Sequence, residues 1–318
     1  MMRWSFAIDR SVVLLPHRTA LRCLRWYVRY APGSLAKSFL VRTLLDQGLR
    51  RYPCSCATRT RFGATLTVTT SDFIQRYLYL FGMWEPYLSR WMQSRLQPGD
   101  VFIDVGANIG YFALIASSLV GPTGEVVAIE ASPQFHKALA SNVRANACTN
   151  VRTVNTAVSD AAGRLTFYLE DSGNLGATTI VRPHGPVESS FAMDAQPLPE
   201  ILTPQELTRA RLIKIDVEGT EGAVVRGLAP VLDRLRPDVE LVIEVNPRRL
   251  AEQGQSVDDV LEPLRAHGFR VYRLTNDYKA ASYPSAMYRR AAVPIRWWGP
   301  ITEQSDLVFS HVNAEDLS

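Results

Sequence analysis

Residues 99–112, which read GDVFIDVGANIGYF, constrain this chain more than any other stretch. A short apolar run from Val101 to Val105 carries one carboxylate, Asp104, and leads through Gly106 and Gly110 into a helix-like segment from Ile109 to Val120. Strand, glycine turn and helix in that order predict the first βα unit of an open α/β sheet. Asp104 then sits at the carboxyl end of the strand, the edge where such sheets bind ligands.

The pattern repeats downstream. Apolar strand candidates lie at Glu125 to Ile129, Val151 to Thr156, Leu212 to Ile215, Val239 to Val245, Arg270 to Leu274 and Asp306 to Ser310. Helical segments alternate with them. One opens at Ser132-Pro133, an N-cap followed by proline at the first helical position, with Phe135, Leu139 and Val143 on one face. Others run from Glu221 to Leu232 and from Val257 to His267, with Gly268 at the end. The reading is a Rossmann-like α/β fold: a mostly parallel, seven-stranded sheet with helices on both faces. Leu165, Phe167 and Leu169 alternate as an extra hairpin arm. Residues 170–209, rich in Gly, Pro and Ser, read as a loop excursion over the ligand edge that would help choose a substrate.

The N-terminal part is different in charge. Residues 1–62 hold twelve Lys or Arg against Asp9 and Asp46, so the excess of positive charge belongs to an extension and the remainder is acidic. Arg22, Arg25 and Arg29 recur at helical spacing beside a stripe of Leu21, Leu24 and Val28. Such a basic amphipathic helix either docks peripherally on an anionic membrane surface or packs its apolar stripe on the core with its arginines solvated. A basic helical extension over 1–62, a cap segment over 63–98 and a catalytic domain over 99–318 follow as boundaries. No run reaches the roughly 18 apolar residues of a membrane span, so a cytoplasmic protein is expected. Cys54 and Cys56 lack further ligands nearby and read as free thiols, as do Cys23 and Cys148.

The glycine turn separates two cofactor classes. A dinucleotide fingerprint uses its second glycine to admit a pyrophosphate, and here that position is Asn108. A cofactor without phosphate and with a cationic amino acid end fits Gly106, Asn108 and Gly110 after Asp104 better. S-adenosylmethionine is such a molecule. Glu130 ends the second strand, where an acid holds ribose hydroxyls or merely flanks the Ser132 cap. The competing readings are an NAD-linked oxidoreductase on the same sheet and a cofactor-binding scaffold without catalysis.

The chain resembles the FkbM family of class I S-adenosylmethionine-dependent methyltransferases over residues 62–310. The resemblance rests on YLYLFGMWEP before the core, DVGANIG, Glu130, AVSD at 157–160 and KIDVEGTE at 214–221. It implies cofactor contacts at Glu85, Asp104, Gly106, Asn108, Gly110 and Glu130, with the Ala157–Asp160 loop, including Ser159 and Asp160, near the adenine. It also implies O-methylation of a hydroxyl on a polyketide, sugar or glycan.

Methyl transfer to a hydroxyl requires collinear positioning and a base for the departing proton. Asp216, Glu218 and Glu221 cluster beyond the fourth strand, and Glu218 or Asp216 is the expected catalytic base; Glu221 alternatively caps the following helix. No second acidic pair at ligand spacing is evident, so no metal is assigned. Glu244 is a further candidate at the rim, His136 reads as a helix histidine, and His184 lies in the excursion. Tyr77, Tyr79, Phe81 and Trp84 are either a stacking surface or core. The acidic core argues against nucleic acid as partner and for a small-molecule or glycan acceptor.

Overall fold

The computed structural model describes residues 10–31, 36–170, 178–180, 187–279, 282–288 and 292–318. The N-terminal helix α1 (Arg10–Tyr30) is followed by α2 (Lys37–Leu40), a single π-helical turn at Val41–Leu45, and α3 (Asp46–Arg51). A hairpin of β1 (Ser55–Arg59) and β2 (Thr65–Thr69) comes next, so residue 62 falls in its turn. Helices α4 (Phe73–Phe81) and α5 (Pro86–Arg95) lead into the sheet.

The sheet begins with β3 (Val101–Val105), α6 (Tyr111–Val120), β4 (Glu125–Ile129), α7 (Pro133–Ala145) and β5 (Val151–Val154). After it come β6 (Ala157–Ser159), β7 (Gly163–Glu170), β8 (Thr178–Thr179), β9 (Val187–Pro197), α8 (Leu198–Ile201) and α9 (Pro204–Arg209). The remainder is β10 (Ala210–Ile215), α10 (Glu221–Leu228), β11 (Glu240–Val245), α11 (Pro247–Glu252), α12 (Val257–Ala266), β12 (Arg270–Leu274), α13 (Tyr283–Ala286), β13 (Ile295–Arg296) and β14 (Ser305–Ser310). The central order is β13-β12-β14-β11-β10-β3-β4-β5, with β14 antiparallel to both neighbours and the pairs from β11 to β5 all parallel. The seven expected strands are present, and the two-residue β13 adds an edge.

Period-two alternation divides the apolar side chains between two faces. Val101, Ile103, Ile213, Leu241 and Ile243 pack with α10 and α12 on one side. Phe102, Leu212, Val242 and Val308 pack with α4–α7 on the other, joined by Val28, Val41 and Leu45 of the extension.

Two expectations change. The excursion over 170–209 is not a structureless loop, because β9 pairs with β7 over eight positions and α9 starts in a capping box of Thr203 and Glu206. Phe191, Met193 and Ala195 alternate inward with exposed neighbours, a strand signal hidden by the segment's small polar residues. Two of the arginines on α1 are neither solvated nor free for a membrane. Arg25 donates to the Tyr79 carbonyl at 2.7 Å, and buried Arg29 donates to Thr58 and to the carbonyls of Leu78, Tyr79 and Arg59. The Leu78 and Tyr79 carbonyls lie near the C-terminal, negative end of α4, which favours the positive charge brought there. Arg22 remains exposed. Among the described residues no helix is long and apolar enough to cross a membrane.

Candidate active site

The parallel strands end together, and the register decides which side chains meet there. Asp104 lies opposite Lys214 in the β3–β10 ladder, and Glu244 lies opposite Asp306 between β11 and β14. Each is two residues from an apolar position on one face, so the acids and the lysine cap that face where α4 and α5 cover it. The chain reverses its strand order at β3 and β10, the point where open α/β sheets form their crevice.

A cleft opens at that point. Gly106, Asn108, Glu130, Lys214, Asp216 and Glu218 line its polar side, and Ile129, Ala157, Val158 and Phe167 its apolar end. Gly106 has φ +86, and a Cβ built there would run into the Asp216 carbonyl oxygen. Its missing side chain therefore lets two strand ends approach each other rather than admitting a ligand directly. Gly110, with φ +92, sits 2.6 Å from Leu139 Cδ1 by the same construction and lets α6 pack on α7. It does not line the cleft. Asn108 has left-handed φ, donates its backbone N–H to Glu130 at 2.7 Å and ties its own Oδ1 to the Ile109 N–H. Glu130 also accepts from the Ser132 N–H at 2.8 Å, so the turn and the start of α7 fix both carboxylate oxygens from behind. Each oxygen keeps a lone pair for the cleft. Burial pushes Glu130 up to about 7, against its two backbone donors.

Asp104 is fully buried and neither carboxylate oxygen has a hydrogen-bond partner. Burial raises it to about 6, opposed by Lys214. Lys214 is itself buried, 2.8 Å from Asp216 Oδ2 and 5.0 Å from the Phe112 ring centre. Burial alone would lower its pKa, but Asp216, Asp104 and Glu85 outweigh that and keep it charged. Glu218, with φ +58, pairs with Arg249 at 3.2 Å, and burial and then Asp216 push it up to about 7. Glu221 turns back to accept from the Val217 and Gly219 N–H groups, the capping role.

A second cleft adjoins the first and shares Ile74, Trp84, Asp216 and Glu218 with it. Glu85 belongs to this second cleft and not to the first. Its carboxylate, with those of Glu244 and Asp306, forms a set whose oxygens lie within 4.8 Å of one another, the one group among the described residues able to hold a metal ion. Sequence spacing could not reveal it, because its members come from three distant segments. Tyr278 donates towards Glu85 and Glu244 at 3.1 Å each, Gln304 donates to Glu244 and Asn276 to Asp306.

Ser159 and Asp160 are not brought to either cleft. Asp160 pairs with Arg226 on α10 at 3.0 Å and accepts from Ser159, so the strong charge partner on α10 turns the pair outward; Ala157 and Val158 reach the cleft instead. His136 lies on α7 outside the lining, Tyr77, Tyr79 and Phe81 are core, and His184 lies outside the described residues. Trp84, one of the four aromatics read as stacking surface or core, lines both clefts, whereas Lys214, Tyr278 and Gln304 were missed as site residues. Of these three only Lys214 carried a visible signal, a lone charge in the apolar strand Leu212 to Ile215.

The model of the Methyltransferase FkbM domain matches residues 104–271. The chain belongs to the FkbM methyltransferases. It is 30% identical over 204 residues to the 31-O-demethyl-FK506 methyltransferase FkbM of Streptomyces tacrolimicus, covering 55% of this chain and 75% of that one. It is 25% identical over 220 residues to the hexuronic acid methyltransferase AglP of Haloferax volcanii, covering 68% and 87%. Among solved structures, a SAM-dependent O-methyltransferase from Thermotoga maritima aligns with a TM-score of 0.42 at 14% identity, over 82% of this chain and 79% of that one. As an FkbM methyltransferase this protein is an enzyme that uses S-adenosylmethionine, and the oxidoreductase and scaffold readings fall away. The site fits that cofactor. Glu130 and Asp216 line the cleft and offer acceptors to a ribose diol and a cationic amino acid end, beside an apolar end suited to a base; the orphaned Asp104 carboxylate is buried behind the lining, next to Val105 and Lys214, and does not line the cleft itself.

Proposed function

We propose that this FkbM methyltransferase methylates a hydroxyl oxygen on a glycan, sugar or polyketide-like acceptor. The observation that carries the reading is that Asp216 and Glu218 line both clefts, so one pair of carboxylates stands between a cofactor cleft and a second chamber. The names of the two relatives, one acting on demethyl-FK506 and one on a hexuronic acid, support oxygen as the target.

Glu130 would hold the ribose, Asp104 and Asp216 the amino acid end, and Ala157, Val158 and Phe167 the adenine. Gly106, Asn108 and Gly110 shape the turn that aims these groups. S-adenosylmethionine would supply there a methyl on cationic sulfur, ready for transfer to oxygen. Glu218 would take the proton that the acceptor hydroxyl gives up. Glu218 suits the base role better than Asp216, because its pKa near 7 matches working pH while Asp216 is held as the partner of Lys214. Residues 99–318 act here as the catalytic domain and 63–98 as its cap.

Calorimetric titration with S-adenosylmethionine, on the protein and on Asp104→Ala and Glu130→Ala, tests the cofactor assignments. Transfer of labelled methyl to oxygen, lost in Glu218→Gln with cofactor binding intact, tests the rest. Methyl recovered only on nitrogen or carbon would sink the O-transfer reading.

A further inference from the structure

The second cleft is built largely from parts of the chain outside the matched domain. Phe73, Trp84 and Glu85 come from the cap, and Tyr278 and Gln304 from the C-terminal segment. The cofactor cleft draws most of its lining from within residues 104–271. An acceptor must reach the methyl held in the cofactor cleft, so the chamber that shares Asp216 and Glu218 with that cleft is the one placed to receive it.

Its walls have a distinct chemistry. Trp84 stands between two other rings, with Tyr278 tilted at 5.6 Å and Phe73 edge-on at 5.7 Å, which gives an apolar aromatic wall. Opposed to it are acceptor groups: Glu85, Glu244 and the Gln304 amide. Aromatic faces take the C–H side of a sugar-like ring, and carboxylates and amides take its hydroxyl protons. The chamber has acids but no free positive charge among its described lining residues. Asp216 is paired with Lys214 at 2.8 Å and Glu218 with the lining cation Arg249 at 3.2 Å, while burial raises Glu85 and Glu244 well above the usual carboxylate range. A carboxylate or phosphate on the acceptor would give up its hydration there with no unpaired cation among those residues to receive it.

We propose that this second cleft is the acceptor seat and that it selects an uncharged polyhydroxylated ring over its acidic counterpart. The proposal rests on the O-methyltransferase reading and adds the seat and its selectivity. The acceptor in the name of the Haloferax relative, a hexuronic acid, is of the kind that this seat would refuse.

The test pairs methyl glycosides of glucose, galactose and mannose with the matching methyl glycosides of their uronic acids, using the full chain. Saturation-transfer NMR with S-adenosylhomocysteine present reads binding, and labelled methyl transfer reads turnover. At least one neutral glycoside should bind and be methylated, with kcat/KM at least a hundredfold above its uronic partner. Glu85→Gln combined with Glu244→Gln should narrow that ratio at least tenfold. Gln304→Glu, at an exposed position, should widen it. A uronic partner that is bound or methylated as well as its neutral form overturns the proposal, as does a ratio that neither variant moves. Methylation of catechol with no binding of any sugar overturns the seat but leaves O-transfer standing. Failure on every hydroxyl probe by protein that binds S-adenosylmethionine overturns both.

Discussion

The Lys214 ammonium lies 2.8 Å from Asp216 Oδ2 and is the register neighbour of Asp104, so one buried cation serves two carboxylates at the end of the sheet. Removing one partner of a buried ion pair strands the other, at a cost of about 3–5 kcal/mol. Lys214→Met should therefore lower stability to urea by about that amount. Adding Asp104→Asn should recover part of it, since the stranded charge is gone. If Lys214→Met unfolds at the wild-type urea concentration, the lysine is not a structural counter-ion.

Protonation should link stability to cofactor binding. Asp104 is raised to about 6, and Glu130, Glu218 and Glu221 to about 7, by burial first of all. Unfolded carboxyls titrate near 4, so the folded chain binds more protons between about pH 4.5 and 7. Stability then falls as pH rises through that window and levels off above it. Scanning calorimetry without ligand should give a Tm roughly 5 °C lower at pH 8 than at pH 5.5. Affinity for the cationic cofactor should run the other way, rising as Asp104 and Glu130 ionise. An affinity that is flat from pH 5.5 to 8 would exclude these carboxylates from the cofactor site.

Glu218 separates function from stability. As general base it is worth a factor of about 10²–10⁴, so Glu218→Gln should lower kcat by at least a hundredfold with cofactor affinity nearly unchanged. The acid limb near pH 7 in the rate profile should vanish with it. Its left-handed backbone costs about 1–2 kcal/mol with a side chain present. Glu218→Gly should accordingly lose the activity and melt higher than the wild type. A glycine variant that is both inactive and less stable would mean that the Arg249 pair outweighs the strain.

Gly106 and Gly121 offer a controlled comparison. Both have positive φ, but a Cβ at Gly121 would meet nothing within 4 Å, whereas one at Gly106 would strike the Asp216 carbonyl. Gly121→Ala should cost about 1–3 kcal/mol from backbone strain alone, since its φ of 63 and ψ of −171 suit glycine only. Gly106→Ala should cost about 2–4 kcal/mol, because the overlap with Asp216 adds to that strain, and should weaken cofactor binding at least tenfold. Equal melting temperatures for the two variants would show that the strand ends yield freely.

Local pattern carried much of the fold. The strands at 101–105, 125–129 and 270–274 run as their apolar residues indicate, because period-two runs between turn residues leave few alternatives. The cofactor turn was legible for the same reason: its residues are contiguous. Glu85, which the resemblance implies as a cofactor contact, lines a chamber assembled from residues 85, 244, 278 and 304, which no sequence window spans. The arginines of α1 misled for a related reason, since their partners are main-chain carbonyls 50 residues away and leave no trace in side-chain pattern.

The position of β14 has a consequence for how the molecule is made. It pairs with β11 on one side and β12 on the other, strands that precede it by about 60 and 30 residues. During synthesis from the N-terminus, β12 has no place in the sheet until Ser310 has left the ribosome. The parallel half, β5-β4-β3-β10-β11, and with it most of the cofactor cleft, can form earlier. Asp306 and Gln304 arrive with the late strand, so in a nascent chain the first cleft can take shape while the second still lacks a wall.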